Sequence, residues 1–175
     1  RDPDGAMRHL AALTKGTSRT ARIQRNLLPV LLQWLAEGTD PDYGLLAFRR
    51  VSEANRDTPW YLRLLRDGSE AAERLTRVLS TSRFAAELLE AIPEAVAWLE
   101  RDESLRPVSL EALLEEMRAL ASRRDNIDDS AAALRTVHRR EVLRLALGRL
   151  VFVNDEADVA RGLDAAHTAL LDGLL

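Results

Sequence analysis

The chain has 175 residues, 46% of them hydrophobic and 30% charged, with a formal net charge of −3. That balance excludes intrinsic disorder, and the small negative charge excludes a global field that would gather nucleic acid. The lack of cysteine excludes disulfides, zinc–thiolate sites and thiol nucleophiles, and fits a reducing compartment.

Helix-forming residues dominate and β-branched runs are scarce, so the expected class is all-α, with about ten helices and no sheet. No apolar run approaches the ~20 residues of a membrane span, and no signal peptide is expected. The chain begins at Arg1 without an initiator methionine, as expected of an excised fragment or of a processed chain. Asp2-Pro3-Asp4 places a cap residue before a proline at the first helical position, with an acid in the first turn. The spacing predicts a helix to residue 14, with Met7, Leu10 and Leu13 on one face and Gly16 after its end. Ser18 is the expected cap of a second helix reaching residue 37, with a stripe of Ile23, Leu27, Val30 or Leu31, and Trp34. Pro29 inside it predicts a kink over residues 25–29, and Arg19, Arg22 and Arg25 form a basic outer stripe.

Asp40-Pro41-Asp42 repeats the first start signal. The helix that follows to residue 54 turns Leu45, Phe48 and Val51 inward. After a turn at Asp57 and Thr58, Pro59 opens a short helix that buries Trp60, Tyr61, Leu64 and Leu65. Ser69 caps a helix to residue 79, with Ala72, Leu75, Val78 and Leu79 inward; Ser82 caps another to residue 91; Pro93 opens one to residue 100. Residues 1–101 thus read as an amino-terminal array of short helices, and residues 102–108, charged and proline-bearing, as a linker.

Residues 109–175 read as a bundle of longer helices. Ser109 caps a helix to residue 122 that uses Leu110, Leu113, Leu114, Met117 and Leu120; residues 123–129 form a polar break. A long helix is expected over 130–152, with Asn154 capping the last one to residue 171.

No catalytic constellation emerges. His9, His138 and His167 have no metal-ligand spacing, the eight glycines stand singly, and no G-x-S-x-G occurs. Asp128-Asp129 and Asp155-Glu156 lie at helix starts, where the dipole alone favours acids. The sharpest charged feature is the basic helix carrying Arg135, His138, Arg139, Arg140, Arg144 and Arg149, partly neutralised by Glu141. Arg135, Arg139 and roughly Arg149 share one face; Arg140 and Arg144 share the next. Together with Arg49 and Arg50, which point away from the Leu45 and Phe48 stripe, Arg135, Arg139, Arg140 and Arg144 are the candidate partner interface, suited to an acidic protein surface.

Several long segments carry a specific resemblance: RDPDGAMRHLAALT over 1–14, SRTARIQRNLLPVLLQWLA over 18–36, GLLAFRRVSEA over 44–54, TPWYLRLLRDGSEAAERLTRVLSTSRFAAELL over 58–89 and LRTVHRREVLRLAL over 134–147. Together they resemble the bacterial, actinobacterial-type, bifunctional glutamine-synthetase adenylyltransferase and adenylyl-removing enzyme. The resemblance implies a large cytoplasmic parent with two magnesium-dependent nucleotidyltransferase domains, one removing the adenylyl group from glutamine synthetase by phosphorolysis and the other attaching AMP from ATP to its tyrosine, and so controlling nitrogen assimilation. PII-type signalling proteins are among the partners it implies. The family's glycine-rich segment and S-D-x-D carboxylate pair are absent here. The resemblance therefore implies a helical linker and regulatory segment preceding the second nucleotidyltransferase domain, inactive by itself, with no catalytic, cofactor-binding or metal-binding residue of its own. Its partners would be the neighbouring nucleotidyltransferase domains and glutamine synthetase, without nucleic acid or membrane. The alternative is an independent interaction module that binds a PII-type regulator or glutamine synthetase.

Overall fold

The computed structural model describes every residue except Arg1, Thr17, Ser18, Asp57, Gly68, Ser69 and Asp125, and the side chains of Arg19 and Thr20. The caps expected at Ser18 and Ser69, the turn residue Asp57 and the Arg19 member of the basic stripe lie outside the described residues. Among those described, the chain is all-α, with nine α-helices, two 3-10 helices and no strand. None of the helices is long and apolar enough to cross a membrane. Two compact units divide the chain, residues 1–101 and 102–175.

The first unit contains α1 (Pro3–Thr14), α2 (Arg19–Ala36), α3 (Pro41–Ala54), α4 (Pro59–Arg66), α5 (Glu70–Thr81), α6 (Arg83–Ala91) and a 3-10 helix, Pro93–Glu100. Both Asp-Pro-Asp starts work as caps: the Asp2 carboxylate accepts the Gly5 N–H at 2.8 Å, and Asp40 accepts that of Tyr43 at 3.2 Å. The fold also brings the two starts side by side, with the Asp2 N–H donating to Asp42 Oδ2 at 3.1 Å. Behind α3 sits the core. Phe48, Val51, Tyr61, Leu75, Leu79, Leu89 and Leu99 are all essentially inaccessible; each such large apolar side chain contributes about 1.5–3 kcal/mol. Gly44 makes this packing feasible, because a Cβ there would stand 2.8 Å from Ser80 Cβ and 2.9 Å from Leu35 Cδ2.

Two apolar stripes differ from expectation. In α1, Leu13 is buried but Met7 is 65% exposed, and Gly5 supplies the other buried position. In α2 the buried set is Ala21, Gln24, Leu27, Leu31 and Leu35, whereas Val30 is exposed and Ile23 and Trp34 are half-buried. The helix continues through Pro29, and two adjacent apolar stripes compete for its core face. Contact with α1, α4 and α5 selects the one bearing Leu31 and Leu35. Trp60 is likewise half-buried, while Tyr61, Leu64 and Leu65 are interior as expected. Residues 93–100 wind as a 3-10 helix, and the buried Asn55 amide ties that segment to α3 by donating to the Pro93 and Val51 carbonyls at 3.3 and 3.1 Å.

The second unit contains a 3-10 helix (Asp102–Leu105), α7 (Leu110–Ala121), α8 (Ile127–Leu150) and α9 (Glu156–Leu174). Leu113, Met117, Leu134, Val137, Ala166 and Ala169 form a core between the three long helices, with Leu110, Leu114 and Leu120 packed against it. The Ser109 hydroxyl caps α7 through the Ala112 N–H at 3.3 Å. α8 starts earlier than the polar composition suggests: Asn126 accepts the Asp128 N–H at 2.8 Å, which places Asp128 and Asp129 in the first turn. It also stops earlier, at Leu150, where Phe152 adopts a left-handed φ of 62°. The cap of α9 is Asp155, not Asn154. Asp155 accepts the Asp158 N–H at 2.7 Å, and Asp158 accepts the Asp155 N–H at 3.2 Å, a reciprocal capping box. Asn154 is instead buried, donating from Nδ2 to the Leu105 carbonyl at 2.8 Å.

Candidate functional site

The basic residues of α8 have two different fates. Arg140 forks onto Glu116 of α7, with contacts of 2.9 and 2.6 Å to its two carboxylate oxygens. This hydrogen bond raises the Arg140 guanidinium above its ordinary value, against the opposing effect of burial. Arg144 donates from Nε to Glu141 Oε2 at 3.0 Å and also to the Ser104 carbonyl. Glu141 is fully buried, and its second oxygen accepts the Val108 N–H at 3.0 Å. Glu141 does offset one arginine of the helix, Arg144, but it does so from inside the unit, where it also holds the start of the α7 segment against α8. A signal for this existed in the sequence, because Val137, Glu141 and Leu145 repeat at four-residue spacing and both neighbours are apolar.

Arg135 and Arg139, one turn apart, are exposed, and no carboxylate stands within ion-pair reach of either among the described residues. Arg149 is exposed on the same side of the helix and meets Glu156 at 3.4 Å. Two acids are thus spent inside the unit on Arg140 and Arg144, which leaves Arg135 and Arg139 as uncompensated charge facing solvent.

In the first unit, Arg50 is exposed and pairs with Glu90 of α6 at 3.3 Å. Arg49 is partly sunk into the unit, with a side chain 29% exposed and a loose 3.8 Å approach to Glu53. The two neighbours are not equivalent. Helical geometry turns them about 100° apart, so one lies over α6 and the other faces the α1 side.

The histidines come together only in part. His138 and His167 stack across α8 and α9 with ring centroids 4.8 Å apart and planes tilted by 55°. Burial, and then the His167 charge, hold His138 below the usual imidazole value, and its Nε2 is enclosed without a hydrogen-bond partner. The His167 Nδ1 lies 2.7 Å from the Leu163 carbonyl. His9 stands in the other unit, lowered by burial and then by the Arg49 charge.

The acidic pairs at the starts of α8 and α9 do not converge as a magnesium–nucleotide centre would need. Asp128 and Asp129 are consecutive helical residues, so their carboxylates diverge and do not converge on one ion. Asp155 is engaged in the capping box, and Asp158 also receives Arg106 at 3.4 Å and Arg161 at 2.6 Å. Among the described residues no three His, Asp or Glu side chains gather as a metal set.

Comparison with known proteins is consistent across the chain. The family model described as glutamate-ammonia ligase adenylyltransferase matches residues 72–175. A bifunctional glutamine synthetase adenylyltransferase/adenylyl-removing enzyme of Leifsonia xyli subsp. xyli is 59% identical over 175 residues, covering 100% of this chain and 17% of that protein. The protein of the same description from Cutibacterium acnes is 44% identical over 174 residues, 99% of this chain and 18% of its own length. That of Streptomyces coelicolor is 51% identical over 152 residues, 86% and 15% respectively. The chain therefore spans less than a fifth of the length of these relatives. No solved structure matches it.

Proposed function

The chain belongs to the glutamate-ammonia ligase adenylyltransferase family, and from that premise we propose that it is a non-catalytic helical segment of the parent enzyme, one that presents the Arg135 and Arg139 face of α8 to an acidic protein surface. The observation that carries this reading is the division of the α8 arginines. Two are consumed by Glu116 and Glu141, Arg149 meets Glu156, and Arg135 and Arg139 stand outward with no carboxylate in reach among the described residues. Exposed like charges one turn apart oppose each other, so their placement costs stability unless a partner supplies acid.

The relatives are named as enzymes that adenylylate glutamine synthetase and remove the adenylyl group. In such a parent, ATP and magnesium serve nucleotidyltransferase domains outside these residues, and glutamine synthetase is the protein acted on in the cytoplasm. The two helical units, joined near residue 102, are read as the mount for a neighbouring catalytic domain. Glutamine synthetase, that neighbouring domain and a PII-type regulator are the three candidate owners of the acidic surface.

Two measurements test the reading. The chain mixed with magnesium-ATP and glutamine synthetase should transfer no AMP; transfer by the pure chain refutes a non-catalytic role. In the full-length parent enzyme, Arg135→Glu with Arg139→Glu should slow AMP transfer to glutamine synthetase at low salt, with the deficit shrinking as salt screens the contact. A parent enzyme whose transfer and PII response are both unaffected by that double reversal removes the role of this face.

A further inference from the structure

The first unit contains a cavity of about 350 Å³ whose wall carries Lys15, Gln24, Arg49, Ser52, Glu53 and Arg56. They come from the residue that ends α1, from α2, and from the last turns of α3 with the second residue beyond it. Three cations face one carboxylate. Lys15 is the only lysine in the chain, and among the described residues neither it nor Arg56 has a carboxylate within ion-pair reach. The single acid, Glu53, is nearly half exposed and approaches Arg49 at 3.8 Å, beyond hydrogen-bonding distance.

Arg49 is permanently charged and cannot escape by losing its proton. Its Nε is enclosed without a hydrogen-bond partner, so the outer part of the guanidinium, on a side chain 29% exposed, is what the cavity offers a ligand. Gln24 and Ser52, only 7% and 3% exposed, add a polar floor, and the Ser52 hydroxyl is held 2.7 Å from that of Tyr61. Polar groups fixed beneath a cationic rim are the recurrent build of an oxyanion site. The local field agrees, since Arg49 is the leading charge that lowers His9.

We propose that this cavity binds a small anion bearing a phosphate or carboxylate group, with its oxygens accepting from the outer N–H groups of the Arg49 guanidinium and with Lys15 and Arg56 closing over the remaining charge. The cavity lies at the small end of ligand sites, roughly 300–1,000 Å³, which suits a compact metabolite. This site is independent of the α8 face and stands or falls separately from it.

The test uses the 175-residue chain at constant ionic strength. Inorganic phosphate and succinate are each titrated by calorimetry against chloride, with the Arg49 Nε–H resonance followed by NMR. Saturable binding of either anion, together with movement of that resonance, is the expected result; the anion that binds more tightly tells phosphate from carboxylate. Arg49→Gln should weaken binding about tenfold or more, and Lys15→Gln, a change at an exposed residue, should weaken it without disturbing the fold, whereas Arg63→Gln, on the exposed side of α4, should leave it unchanged. Absence of saturable binding by both anions overturns the proposal. So does binding that survives both Arg49→Gln and Lys15→Gln, which would mark an adventitious ion only.

Discussion

Replacing Glu141 by Ala is the sharpest perturbation of the second unit. The side chain is fully buried and serves two partners, the Val108 N–H at 3.0 Å and Arg144 Nε at 3.0 Å. Removal strands a backbone donor, at about 1–3 kcal/mol, and leaves a guanidinium only 15% exposed beside an empty site. Breaking a buried pair from one side costs about 3–5 kcal/mol in all, a large share of a domain's 5–15 kcal/mol. The comparison is Glu116→Ala, which breaks a pair 32% and 36% exposed, where solvent screening limits the loss to about 1 kcal/mol. The readout must be local. All three Trp and both Tyr precede residue 102, so their fluorescence reports the first unit. Amide hydrogen exchange along α8, supported by urea unfolding in far-UV circular dichroism, reads the second. Glu141→Ala should lose protection throughout α8, and Glu116→Ala should lose little. Equal losses, both within about 1 kcal/mol of wild type, would refute the claim that Glu141 anchors this unit.

Other expectations follow from single contacts. A Cβ at residue 148 would stand 2.1 Å from Asn154 Nδ2 and 2.9 Å from the Leu105 carbonyl, so Gly148→Ala should destabilise by about 1–3 kcal/mol in chemical unfolding. Tyr61→Phe removes a hydroxyl held 2.7 Å from Ser52 in the core, and about 1 kcal/mol should be lost, with less lost when Ser52→Ala accompanies it. Burial pushes the Tyr61 phenol well above its ordinary value, so the alkaline absorbance titration of the native chain should count one fewer tyrosine than the unfolded chain. His138, lowered by burial and by His167, takes up its proton more readily when unfolded. Its contribution to stability is complete above the unfolded value near 6.5 and declines as pH falls below that value toward the native one. His9 acts in the same direction in the first unit, so exchange in α8 and α9 should be compared between wild type and His138→Phe, which should flatten the slope there.

Local signals were legible where one residue decides one bond. The two Asp-Pro-Asp starts, Ser82, and Ser109 cap the helices that their positions imply. The interior of α3 and α5 was legible as well, since each helix has one unambiguous apolar face, and Phe48, Val51, Leu75 and Val78 lie on it. Legibility failed in α2, where either of two adjacent stripes satisfies helical spacing and only tertiary packing selects between them. Failure at residues 150–155 had another cause. Asn154 and Asp155 are both good cap residues, and the choice rests on a bond from Asn154 to Leu105, 49 positions away. The cavity at Arg49 belongs to the same class. Its members are scattered from Lys15 to Arg56, and no spacing rule unites them.

The six candidate arginines show why a charge count on one helix does not identify a contact surface. Six of the residues from 135 to 149 are basic, counting His138, and the composition invites a single acidic partner for all of them. Glu116 and Glu141 break that unity, since each takes one guanidinium out of play. Charge reversal at Arg140 or Arg144 would therefore disturb the packing of α7 on α8 and mimic the loss of a partner. Reversal at Arg135 and Arg139 leaves that packing intact. The same reasoning separates the first unit's pair, because Arg50 answers to Glu90 whereas Arg49 borders the cavity. A substitution set that keeps these classes apart can assign a loss of partner binding to contact, to folding or to the cavity at Arg49. One that reverses Arg139 and Arg140 together cannot.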